Sequence, residues 1–333
     1  MRDERLSALA ASQGGVVLRH QALDLGLDSA EIRDNVRART WTRVRHGAYM
    51  ETATWVDLDE RGRALVKCHA VRARFGPAVV FSHASAALIH GLEVRYEDLT
   101  RVHVMRPRAS GRREAGVVHH RWPVLGVEPV QVTGFLVTPP ARTVVEVAEE
   151  LGFEAGVVVG DSALRLLLHH EELLATFVPL RDNGGARTAG RVVSFVDGRA
   201  ENGGESVSRA RLVQAGLPRP ELQAVILDAN GDAGRSDFWF EEFNTVGEFD
   251  GLRKYRVPPD SDPDEAAQIV VREKAREDRI RATGAEVVRW VHRDLERPRL
   301  VVARFRAAFE RGRRLVVPVR WRPSPQPSHL RPV

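Results

Sequence analysis

The sequence predicts an α/β chain (α+β overall) built of several segments: helices closing on a hairpin, a mixed α/β middle region, and a C-terminal αβββαβ unit. Three observations predict it. Residues 3–50 run through helical segments into an alternating stretch. Residues 60–180 switch repeatedly between helical and strand-like hydrophobic periods. From Gly204 onward a helix, three strands, a helix and a last strand follow in order, with turn residues between them. The boundaries fall at 1–55, 60–180, 200–296 and 297–333, and 333 residues suit two or three domains.

The first segment opens with Leu6, Leu9 and Ala10 at helical spacing, ended by Gly14-Gly15. A second helix follows around 19–25 and closes at Gly26. Asp28 or Ser29 is a suitable N-cap for a third helix over 30–39, with Glu31 in its first turn. Residues 41–49, WTRVRHGAY, alternate and carry a glycine turn, as a β-wing does. Three helices and a wing are the element order of a winged helix-turn-helix. Arg33, Arg37, Arg39, Arg43 and Arg45 stand on the third helix and wing against only Glu31 and Asp34. Such donors suit base edges and phosphates, so DNA is the expected partner.

In the middle region, helices are expected over 62–75 and 81–91, strands at 102–105 and 116–121, and helices at 144–151 and 155–168. Histidines recur at His83, His90, His103, His119 and His120. Metal ligation is one reading, since imidazole is the commonest metal ligand. His83 and His90 share a helix face but have no acid at ligand spacing, so packing is the preferred reading.

The C-terminal unit carries the clearest chemistry. A helix over 205–214 precedes strands at 222–227, 235–240 and 246–250, with a turn at Asn230-Gly231. A helix over 266–282 and a strand over 286–291 complete it. Glu248 and Asp250 are two apart on one strand and share a face. The preceding hairpin can bring Asp237 beside them, and Glu205 on the first helix can lean toward the same face. Gathered carboxylates repel unless a cation joins them. Mg²⁺ takes such oxygen ligands and keeps waters for a phosphate.

Charge and composition set the outer bounds. Hydrophobic residues make up 43% and charged residues 29%, with a net charge of +5. No apolar run approaches the roughly 20 residues of a membrane span. The N-terminus lacks the form of a signal peptide, and cytoplasmic residence is the expectation. The single Cys68 excludes a disulfide framework and a cysteine-rich zinc site. Of 50 basic residues only Lys67, Lys254 and Lys274 are lysines. After about 312 the Pro-rich text suggests a disordered tail.

The strings RSDFWF (235–240), GEFDGLRKY (247–255), REKAREDRIRATG (272–284) and VVRW (287–290) resemble the Vsr-like branch of the PD-(D/E)XK nuclease superfamily, which has a restriction-endonuclease-like fold. The resemblance implies Asp237 and Glu248 as binders of Mg²⁺ or Mn²⁺, Glu205 as the helix acid, and a metal-dependent endonuclease. Asp250 stands where that motif has its catalytic lysine, and the missing cation would come from Lys254 or Lys274. The first fifty residues, with Gln13-Gly-Gly-Val and WTRVRHGAY, resemble the winged-helix domain of AbiEi-type antitoxins. SHASAA (82–87), His90-Gly-Leu and TPPART (138–143) are similar to the segment that follows in such actinobacterial proteins. That likeness implies a transcriptional repressor of a type IV toxin–antitoxin operon, with a cognate toxin as a further partner and a degenerate nuclease-like domain.

Overall fold

The computed structural model describes residues 2–106, 113–121, 128–181, 185–251, 263–315 and 317–324. It is an α/β chain of helices and mixed sheets, as the sequence predicts. It divides into two compact units, 1–159 with 170–194, and 160–169 with 195–333. No helix among the described residues is long and apolar enough to cross a membrane.

The first unit begins α1 (Arg2–Ser12), β1 (Val17–Leu18), α2 (Arg19–Asp24), α3 (Ser29–Arg37), β2 (Trp41–Arg45) and β3 (Ala48–Glu51). Asp28 caps α3: its carboxylate accepts the Ala30 and Glu31 N–H groups at 2.6 and 2.8 Å, and its own N–H donates to Glu31 at 2.7 Å. That reciprocal pair fixes the helix start. The three strands pair in the order β1-β3-β2, all antiparallel. Val16, Leu18, Val44 and Met50 pack beneath them with Val66 and Ala70.

The unit continues with α4 (Thr52–Asp57), α5 (Glu60–Phe75), β4 (Val80–Phe81), α6 (His83–Ile89), β5 (Val102–Arg106), β6 (Arg113–Glu114), β7 (Val117–Arg121), β8 (Val130–Val132) and β9 (Phe135–Val137). Then come α7 (Pro140–Leu151), α8 (Phe153–Leu166), α9 (His170–Phe177) and α10 (Ala186–Val193). Its sheet is mixed, ordered β6-β7-β5-β4-β9-β8, over a core that includes Phe81, Val104 and Phe135. Cys68 lies in that core, and burial pushes its thiol up to about 12. A thiol so shifted is a packing residue rather than a nucleophile.

The second unit contains α11 (Gly203–Gln214), β10 (Glu221–Leu222), β11 (Val225–Asp228), β12 (Gly231–Arg235), β13 (Phe238–Phe240), β14 (Thr245–Asp250), α12 (Pro263–Ala282), β15 (Glu286–Val291), α13 (Pro298–Gly312) and β16 (Trp321–Arg322). Two of the expected strands are each broken in two. Gln223 adopts φ +54 between β10 and β11, and its N–H donates to the Asp237 carbonyl at 3.2 Å. Ser236 separates β12 from β13, and its N–H and hydroxyl both donate to the Ala224 carbonyl. The hairpin therefore turns a corner between two sheets, β10-β13-β14-β15 and β12-β11-β16. The tail also departs from expectation, because Trp321–Arg322 is a strand on β11. Trp321 faces Trp239 with ring centroids 6.4 Å apart, so burial outweighs the surrounding prolines.

Helix α13 packs tightly against the turn before β14. A Cβ at Gly312 would lie 1.9 Å from the Phe243 carbonyl oxygen, and the Asn244 amide donates to the Gly312 carbonyl at 3.1 Å. Gly312→Ala must displace backbone, so we expect a loss of about 1–3 kcal/mol, read as a lower denaturant midpoint at unchanged slope.

Candidate functional site

The four-stranded sheet of the second unit has two unlike faces. Phe238, Phe240, Phe249 and Trp290 lie on one face, where Phe305 and Phe309 of α13 pack against them. The other face begins apolar, with Trp239 and Val246 against Ile280 of α12. It ends in acids. Phe238 pairs with Gly247, so the next position outward sets Asp237 opposite Glu248. Directly opposed side chains share a face, with Cβ atoms about 4.5–5.5 Å apart. Asp250 is two residues further along β14, and all three acids are buried. Asp237 sits at the corner where the chain changes sheets, and its Oδ2 accepts the Phe249 N–H at 2.7 Å.

Two arginines reach these acids. Glu248 pairs across β14 and β15 with Arg289, which therefore points to the same face. Arg289 forks onto Asp250 at 2.6 and 2.9 Å and donates to Glu277 at 2.6 Å. Arg276 of α12 forks onto Glu248 at 3.0 and 3.2 Å and also holds Glu273. Burial opposes the charge on Arg276, but its bonds to Glu273 and Glu248 outweigh that and raise its pKa. Arg289 is likewise raised, chiefly by Asp250. Bidentate forks of this kind are the strongest side-chain hydrogen bonds available.

Glu205 enters from α11. Its Oε2 accepts the Glu201 N–H at 2.8 Å and the Gln223 amide at 3.1 Å, while the Asn202 amide donates to Oε1 at 2.6 Å. Asn202 in turn caps α11. Gln223 bonds both Glu205 and the Asp237 carbonyl, so it links the helix acid to the strand acid. Its left-handed backbone is uncommon for a residue with a Cβ and holds it in this role.

Lys274 is exposed on α12, and among the described residues Arg276 and Arg289 form ion pairs with Glu248 and Asp250. Lys254 lies outside the described residues. The ion-pair network joins Glu248, Asp250, Glu273 and Glu277 to Arg276, Arg289 and Arg281. Asp237 adds a further carboxylate on the same face. Among the described residues no three acids bring oxygens within 4.8 Å of one another.

The arginines expected to touch DNA are differently placed. Arg33 and Arg37 are exposed on α3, Arg39 follows it, and Arg43 is exposed on β2; Arg45 is half-buried. Arg37 approaches Asp34 at 3.5 Å, but both remain largely in solvent, so the pair is weak. Arg39 takes φ +59 at the position after the α3 C-cap, where glycine is usual.

One grouping is not evident in the sequence. His83, His103 and His120 bring ring nitrogens within 4.8 Å of one another. His103 pairs with Val118 across β5 and β7, so His120, two residues on, shares its face. His103 Nδ1 and His120 Nε2 are 2.9 Å apart, and the His83 and His120 rings stack at 3.6 Å. His90, which helical spacing sets on the face of His83, instead bonds the Thr138 carbonyl at 2.8 Å. His119 faces the other way, edge-on to Phe75. Burial holds the His83 imidazole well below its ordinary pKa, helped by the neighbouring His120 and His103.

No family model matches this chain. It is 27% identical over 273 residues to "Uncharacterized protein Rv2248" of Mycobacterium tuberculosis (strain ATCC 25618 / H37Rv), and equally to "Uncharacterized protein MT2308" of Mycobacterium tuberculosis (strain CDC 1551 / Oshkosh). The match covers 81% of this chain and 96% of each relative, a length greater than either unit, so those proteins share parts of both.

Proposed function

We propose that this is a DNA-binding protein whose C-terminal unit is a metal-dependent phosphodiesterase of the endonuclease type. The observation that carries the reading is the opposition of two buried carboxylates, Asp237 and Glu248, across adjacent strands, with Asp250 on the same face. Buried acids gathered in one place are costly without a cationic partner, and such groups concentrate at functional sites. The donors are carboxylate oxygens, which suits Mg²⁺ or Mn²⁺ and not a soft metal. Asp237 and Glu248 would hold the ion, with Glu205 as the helix acid that steadies Asp237 through Gln223. Arg276 and Arg289 would then take the charge-stabilising part that a lysine plays in the nucleases this chain resembles. The bound metal supplies an activated water and neutralises phosphate charge.

The N-terminal segment supports DNA as the substrate. Its three helices and strand hairpin carry Arg33, Arg37, Arg39 and Arg43 exposed, on the winged helix-turn-helix arrangement the sequence suggests. Replacing Arg37 and Arg43 together with alanine should weaken binding to all duplexes. The slope of log K against log salt should fall by about 0.9 for each phosphate no longer neutralised. Fluorescence anisotropy between low and moderate salt checks this, and an unchanged slope would remove these residues from the interface.

A second reading rests on the forks themselves. Glu248 and Asp250 each receive a bidentate arginine, an arrangement that satisfies a carboxylate without metal. On this reading the protein is an antitoxin-like repressor with a cognate toxin, and the second unit is a non-catalytic binding module. Incubation of the purified protein with supercoiled plasmid and Mg²⁺ or Mn²⁺ separates the two. Nicking or linearisation is the expected result. DNA binding that persists with no cleavage of duplex or single strands would leave the repressor reading in its place.

A further inference from the structure

We propose that His83, His103 and His120 form a binding site in the first unit for one divalent ion of the zinc class, ligated by three imidazoles, with the Ser82 hydroxyl orienting the His83 ring and Glu146 holding its backbone. The acids of the second unit have no part in it.

The geometry is close to what such an ion needs. Around a tetrahedral ion with metal–nitrogen distances of about 2.0–2.1 Å, ligand nitrogens stand roughly 3.3–3.5 Å apart. Here they lie within 4.8 Å of one another on rings that are nearly parallel, so an approach of about an ångström together with ring rotation about the side-chain torsions would bring the in-plane lone pairs onto one ion. The three come from separate elements, the start of α6 and strands β5 and β7. The backbone of His103 is further held, since its main-chain N–H donates to the Ser85 hydroxyl at 2.9 Å.

Packing alone accounts poorly for this arrangement. Histidines that serve packing elsewhere in this unit turn a ring nitrogen to a backbone carbonyl: His90 to Thr138 and His170 to Val193, both at 2.8 Å. In the trio His103 Nδ1 turns to His120 Nε2 instead, while His83 stacks on His120 at an interplanar angle of 17° with its Nδ1 on the Ser82 hydroxyl. His83 also adopts φ +52, a left-handed backbone that costs a residue with a side chain about 1–3 kcal/mol and clusters at functional sites.

The surroundings of His83 support ligation. Glu146 of α7 is buried; its Oε2 accepts the main-chain N–H of His83 at 3.2 Å and lies 3.8 Å from the ring Nδ1. Thr138 donates to the same oxygen at 3.0 Å, and Arg142 donates to Oε1 at 2.8 Å. The ring itself is held by the Ser82 hydroxyl, 2.9 Å from Nδ1, which leaves Nε2 as the ligand nitrogen. His120 is only half-buried, which leaves a way in for the ion and a fourth position for water or a small anion. An all-nitrogen set selects Zn²⁺, Co²⁺, Ni²⁺ or Cu²⁺ over Mg²⁺.

The test is a titration of the full-length, chelator-stripped protein with CoCl₂, followed by visible absorbance, and with ZnSO₄ by calorimetry. One equivalent of ion should bind, give a d–d band of a nitrogen-rich site, and raise the thermal midpoint. Excess MgCl₂ should not displace it. His120→Asn, the variant least costly to the fold, and His103→Asn should each weaken binding by more than about 100-fold, since even partners one step beyond the ligands are worth 10–100-fold. His46→Asn, at an exposed histidine elsewhere, should bind as the unaltered chain does. No stoichiometric cobalt binding by the unaltered protein overturns the proposal. So does binding that survives His120→Asn, or binding lost equally in His46→Asn. Circular dichroism of the metal-free variants separates loss of ligands from loss of fold, and the unaltered protein's own titration decides if both ligand variants unfold.

Discussion

Replacing Arg209 with methionine is expected to lower the thermal midpoint of the second unit by about 6–20 °C, the equivalent of about 3–5 kcal/mol. Arg209 and Asp161 are both buried, and one guanidinium nitrogen holds both carboxylate oxygens at 2.7 and 2.8 Å. Arg209 also donates to the Phe195 carbonyl and lies 4.3 Å over its ring. Burial pushes the Asp161 carboxyl up, against the pull of Arg209 and the bond from the Asp197 N–H. Without the arginine, the largest influence opposing burial is gone and only the bonds from the Asp197 N–H and Ser206 still oppose it, so the folded state binds the proton more tightly than the unfolded chain does. The sign follows: stability is highest below the unfolded carboxyl value and is lost as pH rises through the raised folded value. Calorimetric scans should therefore show a smaller deficit for Arg209→Met at mildly acid pH than at pH 8. Asp161→Asn combined with Arg209→Met should recover part of the loss, because the stranded charge is gone while the Asp197 N–H keeps an acceptor. A deficit that is independent of pH and untouched by the second change would mean that lost packing, not lost charge compensation, is the cause.

The second large effect concerns cleavage. Asp237→Ala and Glu248→Ala should each reduce the plasmid-cleavage rate by at least about 100-fold, since removing a metal ligand costs more than the 10–100-fold of an outer partner. Glu248→Gln is the sharper change, because an amide oxygen can still accept from Arg276 and the fold is spared, yet the negative charge that would hold Mg²⁺ is gone. Asp250→Asn should cost less if Asp250 acts through Arg289. Circular dichroism confirms the fold of each variant, and cleavage rates are measured at saturating metal. Cleavage by Asp237→Ala and Glu248→Gln at the unaltered rate would remove these acids from catalysis.

How much of this is legible in the sequence depends on the range over which each feature is determined. Strand alternation is local, so the shared face of Glu248 and Asp250, and the approach of Asp237, follow from spacing and a turn. The capping of α3 is equally local, since Asp28 and Glu31 satisfy each other within one turn. The corner at Gln223 is not local. A left-handed glutamine is held there by a carbonyl and a carboxylate from other elements, and nothing in its neighbours announces it. Scarce lysines draw the eye as candidate cations, whereas Arg276 and Arg289 are inconspicuous in so arginine-rich a chain. Their role depends on the parallel pairing of β14 with β15 and on the packing of α12. The histidine trio is the most distant case: His83, His103 and His120 meet only because β5 and β7 run parallel in one register and α6 begins beside them.

The short strand β16 has a consequence for the rest of the chain. It occupies the outer edge of β11, pairing with Val225 and Ile226, while Val319 just before it donates its N–H to the Asn244 side chain. A chain shortened to end at Gly312 would keep α13 and every candidate site residue named above, but would leave β11 with an uncovered row of N–H and C=O groups. Uncovered edges recruit strands from other molecules. Besides packing Val319 and Trp321, the tail thus bears on colloidal behaviour: it covers an edge of the kind along which copies of a protein can join.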